Sequence, residues 1–406
     1  MPTRSRIKPR NFLKHVTSAL TDDWRTSTNF VSYQLAKETF SYRHPLGAKH
    51  GRGDKLRQIS VRITDMCNLR CHSCGQWGDN GYLIGQSLKE LKQREVPLET
   101  YKKLVDDLVE QNLSPLWYFW GGEPMLYPGI IELFHYIHDA GMPITIVSNV
   151  TNMAKYGEDL IETCQIIWLS IDGPNEEIHN TQRPGVSKKH DNFRDVKNAL
   201  EALARVKREK EKFYPLIVPI SCITAYNTDY VTDIYRLTNE HADMHIFYLT
   251  WWIDPHSAQE HTKDFERRFG FKPKTHYGWV GAWHDFDHSL ILDRFKEMEE
   301  ISDKTGRCAP IMMPKLTNTE DIREYYTNHK ASFGYDQCVS IFMAMEIDSN
   351  GDVSLCRDYH DYIIGNIKTD TVESMWNNQK ALKFRSSIAT EGTMPVCRRC
   401  CGLMGY

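Results

Sequence analysis

Three cysteines with C-x3-C-x2-C spacing are the residues whose types and order point most clearly to chemistry. Cys67, Cys71 and Cys74 directly follow the apolar, β-prone run from Ile59 to Thr64. Three thiolates on one short loop can bind three irons of a cubane cluster, which has four. The loop therefore predicts a [4Fe-4S] cluster with one iron open to a ligand that is not protein.

Two other interpretations of these cysteines stay open. A structural zinc ion takes four protein ligands, and His72 lies too close to its neighbours in the loop to be an easy fourth. Unreactive buried thiols also fit, because free cysteine packs as a small hydrophobic residue. The spacing favours the cluster over both alternatives.

The loop resembles the signature of the radical S-adenosylmethionine (SAM) enzymes, in which Cys-Asn-Leu-Arg-Cys is a common wording. The resemblance implies that the amine and carboxylate of SAM chelate the open iron. One electron then releases a 5′-deoxyadenosyl radical, which abstracts hydrogen from a substrate. The residue before the third cysteine is usually aromatic and contacts adenine, whereas here it is Ser73, which leaves Trp77 as a candidate for that contact.

A second motif follows the next predicted strand, Leu116 to Trp120. In Gly121-Gly122-Glu123-Pro124 the glycines allow a backbone to approach a ligand closely, and the carboxylate can accept a hydrogen bond from an ammonium group. The segment resembles the family motif that binds the SAM amino group. Its place one strand after the cysteine loop therefore predicts a SAM contact.

Two further predicted strands also end in polar residues. One ends in Ser148-Asn149, and the other leads into a segment that resembles the S-x-D-G…H…R pattern of family members with C-terminal cluster domains. The resemblance implies that Ser170 meets the ribose of SAM and that Arg183 pairs with its carboxylate. Asp172 and His179 complete the pattern, although Asp172-Gly173 equally suits a turn that ends a strand.

Four cysteines in the tail form the second strong signal. One precedes a predicted hairpin from Phe342 to Ile347, one follows its Asp348–Asp352 turn, and a C-x2-C pair comes later: Cys338, Cys356, Cys397 and Cys400. Four thiolates make a closed shell, and structural zinc is an alternative occupant. The pattern resembles the SPASM and twitch auxiliary-cluster domains. The full SPASM version holds two clusters, whereas this chain has cysteines for one [4Fe-4S] cluster, with Cys401 as an alternative to Cys400.

Alternating strand and helix patterns from Ile59 to Trp252 predict six β/α units. Repeated units with apolar strands indicate a parallel sheet covered by helices, here an α/β partial (β/α)6 barrel followed by a small C-terminal α+β iron–sulfur domain of hairpin and helix. In such a barrel, sites gather at the C-terminal ends of the strands. The predicted domains are a basic arm (1–57), the barrel (58–253), a bridging insert (254–336) and the auxiliary-cluster domain (337–406).

The arm and the insert are less informative. The arm shows no sustained helix or strand period, and we expect a solvated segment rather than a grip on an acidic partner. The insert is rich in histidine and tryptophan and could wall the substrate pocket. His284 and His288, four residues apart, could bind a metal, but such pairs are more often surface or core residues. The others are His256, His261, His276, Trp279 and Trp283.

Composition excludes several classes. A net charge of −3 gives no overall attraction to nucleic acid or an anionic membrane. The sequence contains no apolar run long enough to span a membrane and no apolar signal core, which predicts a cytoplasmic protein. Eleven cysteines, eight of them grouped, argue against a disulfide framework. The isolated Cys164, Cys222 and Cys308 are expected to be structural.

The combined motifs predict an oxidoreductase-type radical SAM enzyme. The auxiliary cluster is expected to accept the electron of a substrate radical, giving oxidation or cross-linking. A small metabolite such as a sugar or cyclitol is favoured, because the arm lacks the pattern of the peptide-recognition domain that often precedes peptide-modifying relatives. A ribosomal peptide or protein substrate and a non-catalytic metal scaffold are the alternatives. A flavodoxin or ferredoxin-type donor is the expected partner, and Asp358, Tyr359 and His360 are guesses for a general base.

Overall fold

The computed structural model describes residues 24–43, 50–187 and 189–404. Its strands are β1 (Gln58–Arg62), β2 (Leu116–Trp120), β3 (Ile144–Ser148), β4 (Ile166–Ser170), β5 (Leu216–Ile223), β6 (Met244–Leu249), β7 (Ala309–Met313), β8 (Ala344–Ile347), β9 (Asp352–Ser354) and β10 (Gly365–Asn366). They form one ten-stranded sheet in the order β10-β9-β8-β1-β2-β3-β4-β5-β6-β7. All neighbours from β8 to β7 in this order pair in parallel, whereas β9 and β10 pair antiparallel.

The helices cover the outer face of this sheet and its ends. They are α1 (Trp24–Arg43), α2 (Leu88–Gln93), α3 (Leu98–Glu110), α4 (Ile130–Asp139), α5 (Gly157–Thr163), α6 (Glu176–Gln182), α7 (Asn192–Glu209), α8 (Val231–Thr238), α9 (Pro255–Phe269), α10 (Ile291–Thr305), α11 (Thr319–Thr327), α12 (Ser340–Met343), α13 (Val372–Trp376), α14 (Gln379–Glu391) and α15 (Cys401–Met404). Within the described residues, no helix has the length and apolar character needed to cross a bilayer.

Alternation along the strands separates a packed outer face from a more open inner face. On β2, Trp117 and Phe119 are fully buried, and Phe119 packs on Phe134 of α4 with ring centroids 4.9 Å apart. Tyr118 and Trp120 between them point to the other side and keep partial exposure. The parallel α/β barrel and its first six strands are therefore confirmed, with end shifts of a few residues.

The insert contains a seventh parallel strand that the sequence analysis missed. β7 pairs with β6 in register from Met244 opposite Ala309 to Tyr248 opposite Met313. In the sequence, the helices α9 and α10 connect these two strands. The β/α alternation, which was expected to end at Trp252, thus continues into the insert. Pro310 hid the strand, because proline cannot donate to a ladder and is tolerated chiefly at a sheet edge, which is where β7 lies.

The tail hairpin joins the barrel sheet directly. β8 pairs with β1 in parallel, with Glu346 opposite Ser60, and β9 returns antiparallel to β8. The hairpin begins at Ala344 after the short α12, rather than at Phe342, and β9 ends two residues before Cys356. The auxiliary-cluster region therefore continues the same sheet that carries the cysteine loop.

The N-terminal arm contains a helix, contrary to the sequence analysis. α1 buries Phe30, Tyr33, Ala36 and Phe40 at helical spacing. The small and polar residues among them weakened this signal. Phe30 and Tyr33 pack with Leu116 at the start of β2, and the helix lies at the N-terminal ends of the strands. The rest of the basic segment, residues 1–23 and 44–49, lies outside the described residues.

Candidate active site

The cysteine loop follows β1 and is held on two sides by backbone contacts. On one side, the Glu123 amide donates to the Met66 carbonyl at 2.7 Å. On the other, Leu69 forms an antiparallel bridge with Gly185. The segments that follow β2 and α6 therefore position the loop that carries Cys67, Cys71 and Cys74.

The two glycines after β2 are required by this close packing. Gly121 has a φ of +133°, which side chains rarely adopt. A Cβ on Gly122 would lie 2.2 Å from the Met66 carbonyl oxygen. The Gly122 amide also donates to the Thr64 carbonyl at 2.8 Å. These glycines let the backbone approach the cysteine loop itself, and their approach to SAM stays a prediction.

Glu123 joins the ends of β2 and β3. It is fully buried, and its carboxylate accepts hydrogen bonds from Ser148 Oγ (2.7 Å), the Asn149 amide (2.7 Å) and the Met125 amide (2.9 Å). Burial raises the pKa of Glu123 to about 7, against the opposing effect of these donors. The predicted strand-end residues are thus brought together, with Pro124 beginning the short 3-10 turn that follows.

The three cysteine sulfurs lie in polarised but poorly solvated surroundings. The nearby donors are the Leu69 amide (3.4 Å) and Asn149 Nδ2 (3.7 Å) for Cys67, Arg183 Nη1 (3.7 Å) for Cys71, and the Trp77 amide (3.5 Å) for Cys74. Burial raises the pKa of Cys71 to about 11 and moves that of Cys67 in the same direction. Because a bound metal centre supplies the positive charge that stabilises thiolates, this donor set fits a cluster.

Asp172 holds Arg183 against the cysteine loop. Arg183 Nε donates to one Asp172 oxygen at 2.5 Å, and the other oxygen accepts from the Cys222 amide at 2.8 Å. The guanidinium is thereby directed at Cys71. The predicted contact of Arg183 with the SAM carboxylate stays a prediction.

His179 links this ion pair to Cys67 through buried hydrogen bonds. Its Nδ1 accepts from the Asp172 amide (3.2 Å), so Nε2–H donates to Asn192 Oδ1 (2.8 Å). Asn192 donates to the carbonyl of Asn149 (2.9 Å), whose side chain faces Cys67. Burial lowers the pKa of His179 to about 4 and keeps the ring neutral.

Two residues that were predicted to contact SAM, Ser170 and Trp77, are buried in the structure. Ser170 is buried at the end of β4, on the strand face that includes the partly exposed Trp168. Trp77 is buried with Leu83 and Leu91, and its Nε1 donates to the Asp65 carbonyl at 2.7 Å. It has little free surface, and its contact with adenine stays a prediction.

The tail thiols form a second buried group. Burial raises the pKa of Cys338 to about 11 and of Cys397 to about 12. The pKa of Cys356 is also raised, chiefly by burial and further by the charges of Cys397 and Asp358. Three cysteines from separate tail segments therefore meet at one place.

Asp358 marks the same site, beside Cys400 and Cys401. Its carboxylate lies 3.1 Å from Cys400 Sγ and 3.2 Å from both the Cys401 amide and sulfur. The other guesses for a general base are engaged elsewhere: Tyr359 donates to the Val396 carbonyl, and His360 faces Arg62. The sequence did not distinguish Cys400 from Cys401, and both lie at this site.

In the described part of the chain, no three His, Cys, Asp or Glu side chains converge on a single metal ion. In the insert, His284 stacks on Trp252 and His288 on Tyr326, and His288 Nε2 lies 3.1 Å from the His284 carbonyl oxygen.

The insert covers the cysteine loop. A Cβ on Gly75 would lie 2.4 Å from the Trp279 ring, so the two segments are in tight contact beside Cys74. Trp283 anchors the same segment, because its Nε1 donates to the Trp251 carbonyl at 3.1 Å. Among the other histidines, His256 is exposed, and His261 and His276 are buried neighbours.

Comparisons with known proteins match both cysteine regions. The Radical SAM superfamily model matches residues 61–237, and the iron–sulfur cluster-binding SPASM domain matches residues 338–401, together more than half of the chain. The chain belongs to the radical SAM superfamily. Its cofactors are therefore SAM, a SAM-binding [4Fe-4S] cluster and an auxiliary iron–sulfur cluster.

Individual relatives of this radical SAM enzyme are distant. The chain is 23% identical to the AdoMet-dependent heme synthase of Methanosarcina barkeri, over 84% of this chain and 88% of that protein. It is 27% identical to a GTP 3′,8-cyclase of Alkaliphilus metalliredigens, over 45% of this chain and 52% of that protein. The structure of Streptococcus suis SuiB superposes with a TM-score of 0.57 at 12% identity, covering 98% of this chain and 79% of SuiB.

The charged groups inside this radical SAM barrel were not predicted from the sequence. Arg357, next to the tail cysteine Cys356, donates to Ser60 Oγ at 3.1 Å and lies 4.5 Å from the Tyr118 ring centroid. Its Nε is 3.6 Å from Glu346 on β8. A glutamate within a predicted hairpin strand was the available signal, but the inward face could be recognised only once β8 was known to pair with β1.

Arg62 connects the two cysteine regions. It ends β1 and forms ion pairs with Asp65, just before the cysteine loop, and with Asp348 of the tail hairpin. It also contacts Tyr82 and His360. This inward arginine was hidden in a strand whose other face is apolar.

Proposed function

We propose that this radical SAM enzyme abstracts a hydrogen atom from a small organic metabolite inside the barrel and then oxidises it with the help of the auxiliary cluster. Cys67, Cys71 and Cys74 would hold the SAM-binding cluster. Cys338, Cys356, Cys397 and either Cys400 or Cys401 would hold the auxiliary one. When bound, the first cluster and SAM supply a 5′-deoxyadenosyl radical, and the second supplies an electron acceptor.

The observation that carries the proposal is the partly exposed inner face of the barrel between the two thiol groups. Tyr118, Trp168, Cys222 and Tyr248 point inward and keep partial exposure. Burial and the nearby charges of Asp172 and the loop cysteines raise the pKa of Cys222 to about 12, against the opposing charge of Arg183. Tyr118 and Tyr248 instead lie within electrostatic reach of Cys401.

Residues of the barrel itself suit substrate binding there. The aromatic rings can pack against a carbon skeleton, and Arg357 can bind an anionic or carbonyl group. Burial raises the pKa of Glu346 to about 7, which suits a group that holds a substrate hydroxyl or accepts its proton. These residues would orient the substrate and exclude bulk water.

A small molecule is favoured over a peptide as the substrate. Three relatives carry the names of small-molecule enzymes: a heme synthase, a GTP cyclase and a nucleotide dehydratase. The match to the heme synthase covers most of that protein's length. A sugar or cyclitol oxidised at carbon is the specific candidate. An acidic flavodoxin or ferredoxin-type protein would deliver the electron.

Anaerobic reconstitution with iron, sulfide, dithionite and SAM tests the proposal. We expect 5′-deoxyadenosine from the native chain and none from the Cys67→Ala, Cys71→Ala or Cys74→Ala variants. Cys356→Ala should retain some uncoupled SAM cleavage but lose the substrate product. The triple variant at Cys67, Cys71 and Cys74 should still bind iron at the tail.

A non-catalytic scaffold makes the opposite prediction. It would bind iron or zinc without forming 5′-deoxyadenosine under any reductant. Continued SAM cleavage by the Cys71→Ala variant would contradict the assignment of the cysteine loop. A product that forms unchanged in Cys356→Ala would contradict the role given to the auxiliary site.

A further inference from the structure

A surface cavity of about 320 Å³ opens directly beside Cys67. Two exposed apolar side chains stand on its walls, Leu88 at the start of α2 and Val186 beside the cysteine loop, with 51% and 59% of their surface exposed. Leu88 and Val186 belong to different segments and line the same cavity. Adjacent exposed apolar side chains of this kind are typical of the centre of a small protein contact.

Arg70 gives the cavity a positively charged wall, whereas His190 lies 3.7 Å from the Asp195 carboxylate. The cavity walls include Arg70 and His190 and contain no aspartate or glutamate. Arg70 donates to the carbonyls of Cys67 and Leu69, at 3.1 and 2.7 Å, and stacks on Trp77. Every partner of Arg70 in the described part of the chain is thus neutral, and its charge is not cancelled locally.

From these observations we infer that this cavity is the docking surface for an acidic one-electron carrier protein of the flavodoxin or ferredoxin class. The inference rests on the proposed function, because reductive SAM cleavage needs an electron delivered near Cys67. Leu88 and Val186 would form the apolar centre, and Arg70 would attract the acidic partner. The small size of the cavity suits a weak electron-transfer complex, because such complexes have some of the smallest protein interfaces.

A second surface groove is the competing site. It has a volume of about 530 Å³ and is lined by Lys263, Arg267 and Arg398 beside the tail thiols. Here the cations alternate with carboxylates, since Arg267 pairs with Asp264 at 2.7 Å. The cavity at Cys67 combines proximity to the SAM-cleaving loop with walls free of carboxylates, which the groove does not.

The test compares two reductants in one assay of 5′-deoxyadenosine formation. With flavodoxin and its reductase, Leu88→Glu should raise the half-saturating flavodoxin concentration about tenfold, as expected for a central contact residue. With dithionite, its rate should equal that of the native chain. Leu35→Glu is the matched control, because Leu35 is a leucine with 61% exposure on α1, at the opposite end of the barrel.

Direct binding supplies a readout that does not depend on turnover. Flavodoxin should bind the native protein more tightly at low salt than at high salt. It should bind the Leu88→Glu variant less tightly than the Leu35→Glu variant. An unchanged flavodoxin requirement in Leu88→Glu, or an increased one in Lys263→Glu, would overturn the inference. So would a raised KM for SAM in the dithionite assay, which would assign the cavity to SAM. Failure of the native chain with dithionite would instead refute the proposed function.

Discussion

Replacing His179 with phenylalanine should uncouple the cysteine loop from the ion pair behind it. The change keeps a flat ring but leaves the Asp172 amide and Asn192 Oδ1 without their partner. A buried polar group left unpaired costs about 1–3 kcal/mol, so the two together should lower the free energy of unfolding by about 2–6 kcal/mol. That is a large part of the about 5–15 kcal/mol typical of a folded domain.

The same change should impair SAM cleavage beyond its effect on stability. Asn192 loses one of the two contacts that orient it, so Asn149 is held less firmly against Cys67. We expect the dithionite-driven rate of 5′-deoxyadenosine formation to fall about tenfold, which corresponds to an increase of about 1.4 kcal/mol in the activation free energy. Iron content and the electron paramagnetic resonance spectrum of the reduced protein would be measured on the same samples.

His245→Phe provides the matched control. His245 is also fully buried and neutral, and it contacts the hydroxyls of Ser221 (2.9 Å) and Thr238 (2.8 Å) on the outer face of the sheet. Its loss should cost similar or less stability, because a hydroxyl can rotate to another acceptor. SAM cleavage per iron should remain at the native level. Equal activity of the two variants, or a native spectrum in His179→Phe, would refute the reasoning.

Three further predictions follow from individual contacts. Gly122→Ala should destabilise the protein by about 1–3 kcal/mol through its clash with Met66 and should lower iron uptake. Gly157→Ala is the control, because its Cβ would meet nothing nearer than 3.9 Å, and it should have neither effect. Thermal unfolding and iron assays measure both variants. The folded pKa of His179 is about 4, below its unfolded value. Stability should therefore fall as the pH drops from about 6.5 toward 4, by about 2 kcal/mol more in the native chain than in His179→Phe between pH 7 and 5, as urea midpoints of metal-free protein would test. Arg399→Lys should lower the melting temperature and the tail iron content, because the guanidinium of Arg399 donates to the carbonyls of Tyr325, Asn328 and Ala331. Lys330→Arg on the surface should change neither.

The parts of the site that the sequence could indicate are those that depend on short-range order. The spacing of Cys67, Cys71 and Cys74, and the glycines one strand later, could be read without knowing where distant segments lie. The roles of the glycines changed once the fold was known. Gly122 was expected to let the backbone approach a ligand, and the structure shows that it also makes room for the Met66 carbonyl. A sequence motif identifies a close approach without identifying the approaching group.

Errors in the fold have a common cause. α1 was missed because its buried residues are spread among polar ones, and its apolar face exists only against the ends of the strands. β7 was missed because Pro310 argues against a strand until its position at the sheet edge is known. Both elements depend more on tertiary contacts than on local propensity.

By itself, the sequence determined the two thiol groups, the parallel barrel and the radical SAM family, because ligand spacing and strand periodicity are local properties of the chain. Only the tertiary structure decided that β8 lies beside β1, so that Glu346 and Arg357 from the tail face the barrel interior. It also decided that Asp172, His179 and Asn192 form one network behind Cys67. The physical reason is that these contacts join residues far apart in sequence, and burial alone brings them together.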